Sequence, residues 1–157
     1  MIFIGKAPYR ISLLGGGSDL DWFVKEKGYG ICFGFSLKEY SYSVLNILPK
    51  NAKRGILDYS TREIYSSINE IVHPIVREVL NDFNISRYIE LKTFGFASGG
   101  SGLGGSSSFL LSLISSISNG FEMRMSNEEI VEKACSIEIN NLNKPIGKQD
   151  HYLCANS

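Results

Sequence analysis

Residues 98–108 read Ser-Gly-Gly-Ser-Gly-Leu-Gly-Gly-Ser-Ser-Ser, and the apolar run Phe109, Leu110, Leu111, Leu113, Ile114 and Ile117 follows at once. This is a main-chain-rich loop feeding a helix. Such a junction gathers unpaired N–H groups at the positive end of a helix dipole, and glycine lets a ligand approach the backbone closely. An anion belongs there, above all a phosphate, with Gly99, Gly100, Ser101, Gly102, Leu103, Gly104, Gly105, Ser106 and Ser107 as the cradle. No lysine follows the last glycine where Gly-x-x-x-x-Gly-Lys-Ser/Thr requires one, so phosphate charge must be neutralised by other means. A flexible Gly/Ser linker is the competing reading, but it calls for polar sequence on both sides. Here Tyr88 to Phe96 is β-like before the loop and a strongly apolar helix follows it.

Two further segments carry chemically useful residues. One is Lys6-Ala7-Pro8-Tyr9-Arg10 with Gly15-Gly16-Gly17-Ser18-Asp19; the other is Glu138 with Gly147-Lys148-Gln149-Asp150. Phosphoryl transfer needs a phosphate cradle, hard oxygen ligands for Mg²⁺ and a carboxylate that orients or deprotonates the acceptor hydroxyl. Ser106 and Glu138 suit the metal, and Asp150 suits the base if Arg10 or Lys148 holds it ionised. Taken singly, Glu138 reads as a helix-surface carboxylate, Asp150 as a helix cap, Asp19 as a first-turn acid and Arg10 as a solvated strand charge. His73 and His151 have no further His or Cys at ligand spacing and read as structural or exposed.

The elements that must position these groups follow from pattern. Ile2–Ile4 and Ile11–Leu14 suit two short buried strands, closed by a glycine turn, with Ser18 as N-cap of a short helix containing Leu20, Trp22, Phe23 and Val24 that ends at Gly28 and Gly30. Residues 30–36 and 39–48 suit two more strands, the second alternating Tyr40, Tyr42 and Val44 against Glu39, Ser41 and Ser43, which implies one wet face. A polar connection over 51–63 holds one strand, and 69–83 has helical spacing in which Pro74 marks a kink or the true start. Ser126-Asn127-Glu128-Glu129 is a capping box, and the stripe of Ile130, Ala134 and Ile137 puts Glu138 near the inward face of the helix it opens.

Composition is that of one ordinary globular domain, with 43% hydrophobic and 20% charged residues. Sixteen basic residues balance sixteen acidic ones, so no global field draws nucleic acid or an anionic membrane. Cys32, Cys135 and Cys154 are odd in number and widely spaced, which excludes a disulfide framework and a Cys-x-x-Cys zinc site and fits reduced thiols in a cytoplasm. No apolar stretch reaches the ~18 residues of a membrane span, and the first residues lack a signal-peptide layout.

Lys6-Ala7-Pro8-Tyr9-Arg10-Ile11-Ser12 with Gly15 to Leu20 resembles the first motif of the GHMP kinases, especially the bacterial D-glycero-D-manno-heptose 7-phosphate kinases. Ser101-Gly102-Leu103-Gly104-Gly105-Ser106-Ser107 resembles their phosphate-binding second motif, and Gly147 to Tyr152 resembles the heptose-kinase segment after the metal-binding helix. The resemblance implies an α+β fold, a two-layer mixed sheet with helices and a left-handed βαβ crossover. It places Ser106 and Glu138 on the magnesium ligands and Asp150 on the catalytic aspartate. Arg10 falls on the cation that contacts that aspartate, and Asp19 on the carboxylate that holds sugar hydroxyls, with Gly17 and Ser18 beside it. Three departures stand out: Ala97-Ser98-Gly99 replaces a proline-rich approach, Gly105 replaces a serine, and Ser108 replaces a small apolar residue.

The implied activity is ATP- and Mg²⁺-dependent phosphorylation of the anomeric hydroxyl of a heptose 7-phosphate or similar sugar in the cytoplasm. A non-catalytic sugar- or nucleotide-binding module and a kinase for fucose or galactose remain as alternatives. The chain corresponds to the family's N-terminal domain without the C-terminal one, so residues 1–157 are expected to leave a face uncovered and open to self-association.

Overall fold

The structure is a computed structural model that describes residues 1–95 and 100–155. Five strands, β1 (Ile2–Leu14), β2 (Phe33–Ile47), β3 (Gly55–Asp58), β4 (Arg62–Tyr65) and β5 (Ile89–Phe94), form one mixed sheet in the order β1-β2-β5-β3-β4. All neighbours are antiparallel except β3 and β5, which run parallel and are joined by a crossover through β4 and helix α2 (Pro74–Asp82). Helices α1 (Asp21–Lys27), α3 (Gly105–Gly120), α4 (Asn127–Cys135) and α5 (Gln149–Ala155) complete the chain. The core lies between one face of the sheet and the helices: Leu45, Leu57, Ile89 and Leu91 meet Leu110, Leu113, Ile114 and Ile117 of α3, all essentially without solvent contact.

The two short strands expected at the start are one strand, and so are the two expected over 30–48. Pro8 is accommodated because β1 is the sheet's edge, where a missing N–H is tolerated. The apparent break in β2 is a bulge: β1 advances from Pro8 to Arg10 while its partner runs from Tyr40 back to Ser36, leaving extra residues on β2. A bulge disrupts hydrophobic alternation as a turn does, which is why the pattern reads as two strands. Residues 51–63 hold all of β3 and the start of β4, two strands rather than one. Pro74 is the first residue of α2, with His73 as its N-cap. The capping box at Ser126 and Glu129 is formed as the spacing requires.

The alternation along β2 holds, but the polar side faces in. Ser41 and Ser43 are buried and Tyr42 is exposed. A Cβ on Gly5 would overlap the Ser112 carbonyl oxygen, so α3 lies with its backbone against β1. The helix face that approaches so closely is small and polar: Ser108, Ser112 and Ser116 are buried. Ser112 gives its hydroxyl hydrogen to the Phe109 carbonyl at 2.8 Å, so Ser43 must be the donor in the 2.8 Å Ser43–Ser112 bond. Ser108, where the family resemblance leads one to expect an apolar residue, donates to the Ala7 carbonyl at 2.8 Å and ties α3 to β1. The opposite face of the sheet exposes Ile2 (64%) and Phe94 (58%).

Candidate active site

The start of α3 has the properties of an anion cradle. Gly100, Gly102 and Gly104 have φ of +81°, +74° and +71°, a left-handed residue at every second position, the pattern that turns successive N–H groups toward one point. Gly104 is the N-cap of α3 and offers no side-chain acceptor to the first-turn N–H groups. Gly99 lies outside the described residues. Gly105 is not demanded by packing, since a Cβ there would meet only Tyr9 Cε1 at 3.8 Å. Gly104 is demanded: a Cβ would stand 2.8 Å from Arg10 Cγ and 3.1 Å from Cys154 Sγ. Beside the loop opens a cavity of about 560 Å³ lined by Tyr59, His73, Phe94, Gly102, Ser106 and Phe109 among others.

Arg10 connects the loop to the third motif. Its main-chain N–H donates to the Leu103 carbonyl at 3.0 Å, Nη1 donates to the Gly102 carbonyl at 2.5 Å, and the guanidinium grips Asp150 through Nε–Oδ1 at 2.8 Å and Nη2–Oδ2 at 2.5 Å. This bidentate fork has the geometry for which arginine is suited and lysine is not. Lys148, the other cation considered for Asp150, instead pairs with Glu132 at 2.9 Å.

Glu138 is wholly buried, not a surface carboxylate. The segment Ser136–Asn141, continuing from α4, is a π-helical turn in which the Leu142 N–H reaches the Ile137 carbonyl at 2.9 Å. Glu138 points inward along with Ala134 and Ile137, as residues at i, i+3 and i+4 on one helix face do. Four donors meet its carboxylate: Ser106 Oγ at 2.5 Å and Lys144 Nζ on Oε1, His151 Nε2 at 2.7 Å and Ser107 Oγ at 3.5 Å on Oε2. Burial alone would raise the Glu138 carboxyl, but the hydrogen bonds from His151, Lys144 and Ser106 outweigh it and hold the group down at about 2. Facing a carboxylate, His151 carries its hydrogen on Nε2, and Nδ1 has no partner among the described residues. Burial pushes the Cys135 and Cys154 thiols up to about 12, which leaves both unreactive at neutral pH.

Asp19 joins the first motif to the third. Its Oδ1 accepts the Gly17 N–H at 3.1 Å and its Oδ2 the Gln149 N–H at 2.9 Å, the first residue of α5, so Asp19 caps that helix from a distance. Ser18 is not the N-cap of α1; that position is Leu20, and the Ser18 hydroxyl instead accepts the Ile31 N–H at 3.1 Å and gives its one hydrogen to the Gly15 carbonyl at 2.7 Å. The structure thus brings together Arg10, Asp19, the 100–107 loop, Glu138 and Asp150. Sequence reasoning assigned His151 a structural or exposed place and passed over Lys144. The Glu138–His151 pairing crosses two elements, and Lys144 follows a π turn that breaks helical periodicity. The one available signal was their position between Glu138 and the end of the third motif.

Could these residues hold Mg²⁺? Ser106 Oγ and Glu138 Oε1 are hard oxygen donors directed at one point, and the Lys144 ammonium already stands there, so the pair suits a cation. Among the described residues no group of three or more His, Cys, Asp or Glu gathers as a metal site. A cation here therefore needs phosphate oxygens and waters to complete its shell.

The same architecture occurs in solved kinases. The chain superposes on a D-glycero-D-manno-heptose 1-phosphate kinase from Bacteriodes thetaiotaomicron with a TM-score of 0.84 at 23% identity, covering 99% of this chain and 53% of that one. It superposes on Lactococcus lactis galactokinase complexed with galactose with a TM-score of 0.78 at 17% identity, covering 98% and 42%. At these identities the likeness shows the fold. Residues 70–157 match the family described as GHMP kinases N terminal domain, and the chain belongs to that family. It is 25% identical to the D-glycero-alpha-D-manno-heptose 7-phosphate kinase of Campylobacter jejuni subsp. jejuni serotype O:2, over 94% of this chain and 46% of that protein. The chain thus spans about half the length of the relatives it matches. Among the described residues no helix is long and apolar enough to cross a membrane.

Proposed function

We propose that the chain supplies the nucleotide-binding and base-bearing half of an ATP-dependent sugar kinase that phosphorylates the anomeric hydroxyl of a heptose 7-phosphate or a related sugar in the cytoplasm. The observation that carries this reading is Arg10, which bonds the Gly102 carbonyl of the phosphate cradle and both oxygens of Asp150, so cradle and base are one connected unit. The first-turn N–H groups of α3 and the glycine loop hold the nucleotide phosphates. Ser106 and Glu138 hold Mg²⁺, which when bound neutralises charge on the transferred phosphoryl group. Asp150 accepts the proton of the anomeric hydroxyl as its oxygen bonds to the γ-phosphorus, and the bond to the bridging oxygen breaks to release ADP. Asp19, with Gly17 and Ser18, lies on the acceptor side. The exposed apolar residues of the open sheet face, such as Phe94, favour a further domain over the cleft, with self-association when that cover is lacking.

Calorimetry with Mg·ATP on the wild type and on Gly104→Val tests this. A side chain at φ +71°, built against Arg10 Cγ at 2.8 Å, displaces the guanidinium and closes the cradle, so binding is expected to be lost. Equal affinity in a folded Gly104→Val protein would remove the loop from the site. ADP formation with heptose 7-phosphate, galactose and fucose then separates the acceptors, and nucleotide binding without turnover on any of them would favour a binding module.

A further inference from the structure

We infer that Lys144 is the phosphate-contacting cation of this cradle, the charge that the loop itself lacks. The inference rests on the nucleotide reading above and adds a residue to it. No lysine or arginine is present in residues 98–108, and among the described residues that line the cavity none is a lysine or arginine. Arg10 is committed to Asp150 and the Gly102 carbonyl. Lys144 is the ammonium that reaches the first turn of α3: Nζ donates to Ser106 Oγ at 3.1 Å and to Glu138 Oε1. Its charge also bears on His73 in the cavity wall, whose ring burial pushes down first and Lys144 pushes down further. A third of the Lys144 side chain is solvent-exposed (34%), whereas Glu138 is fully enclosed. The ammonium therefore sits at the boundary between the buried carboxylate and solvent, bonded to Ser106, a residue of the cavity wall.

The chemistry follows from that boundary position. A flexible four-carbon stem carrying three donors can keep one hydrogen bond on Glu138 and turn another toward a phosphate oxygen held by the α3 N-terminus. A lysine at the end of a P-loop reaches its phosphates from within the loop itself; here the cation arrives from the segment that follows the π turn. The Ser106 hydroxyl, which gives its hydrogen to Glu138 and accepts from Lys144, fixes the ammonium beside the first-turn N–H groups. Without nucleotide, the same contact gives the buried carboxylate a partner for its charge.

The test is nucleotide affinity with the metal removed. ATP binding to the protein is measured by calorimetry in EDTA and again with Mg²⁺, for wild type, Lys144→Met and Lys144→Arg. The expected result is that wild type binds metal-free ATP, Lys144→Met binds it about 10- to 100-fold more weakly, as for loss of a hydrogen bond to a charged group, and Lys144→Arg stays close to wild type. Because Lys144→Met leaves a buried carboxylate short of a partner, the pair Glu138→Gln and Glu138→Gln/Lys144→Met repeats the comparison without that charge. Equal or tighter binding in the methionine variants, or wild-type binding that occurs only with Mg²⁺, would overturn the assignment of Lys144 alone. Failure of wild type to bind ATP under either condition would overturn the nucleotide reading, and the inference with it.

Discussion

Replacing Glu138 by glutamine removes one titrating group from the interior while keeping its shape, and the consequence for stability follows from the hydrogen bonds around it. The folded carboxyl is held at about 2 against an ordinary value of 4.5, because the donors from His151, Lys144 and Ser106 favour the ionised form more than burial opposes it. A group whose value is lower folded than unfolded contributes stability that is fully present above the unfolded value. That contribution is lost as the pH falls from 4.5 toward 2. The gap corresponds to about 3 kcal/mol, a large part of the roughly 5–15 kcal/mol that holds a domain folded. Glutamine does not titrate, so the stability difference between wild type and Glu138→Gln should shrink by about 3 kcal/mol between about pH 5 and about pH 2. Glu63, Glu129 and Glu132 are also held below the usual carboxyl range, but they are present in both proteins and cancel in the difference. Urea unfolding at a series of pH values, read as midpoint and slope, gives the two curves. Parallel curves over that interval would show that these three donors do not hold the carboxylate as the geometry requires.

Two further outcomes follow from the same structure. Gly5→Ala should destabilise the domain by about 1–3 kcal/mol, because the added methyl overlaps the Ser112 carbonyl and forces α3 off the sheet; an unchanged urea midpoint would refute the close approach. In a complete enzyme of the kind proposed above, Asp150→Asn should lower the kcat of sugar phosphorylation about 10²-fold with a smaller effect on nucleotide affinity, and near-normal kcat would take Asp150 out of the proton transfer.

How much was legible in the residues alone depended on whether the signal was local. Helix α4 could be read because its cap, Ser126 and Glu129, lies three residues apart and satisfies orphan donors within its own turn. The glycine loop could be read because residues with left-handed backbone are chemically restricted, and the following apolar run marks α3. The long strands β1 and β2 could not be read as single units, because a bulge and an edge proline interrupt alternation without ending the ladder. The inward placement of Ser41 and Ser43 was invisible for a different reason: hydroxyls read as wet unless the partner that satisfies them is known, and that partner, α3, lies some seventy residues away, as the Ser43–Ser112 bond shows. In the candidate site, Arg10, Asp150, Glu138 and the loop carried motif signals. Lys144 and His151 did not, since their importance consists of a contact to Glu138 across separate segments.

That dependence on Glu138 explains why the last helix matters more than its seven residues suggest. Asp150 and His151 are adjacent on α5 and so point about 100° apart, as successive residues of an α-helix do. One faces the Arg10 fork and the other enters the core to donate to Glu138. A rotation of α5 that improved one contact would spoil the other, so the helix has one orientation that satisfies both. Asp19, accepting the Gln149 N–H, fixes where that helix begins, and the absence of a side chain at Gly147 lets the carboxylate approach. Lys144 completes the arrangement from the other side, its ammonium bonding both Glu138 and Ser106. Base and metal candidates are thereby held on one small scaffold whose geometry is set by hydrogen bonds among three distant segments, and Arg10 ties that scaffold to the phosphate loop.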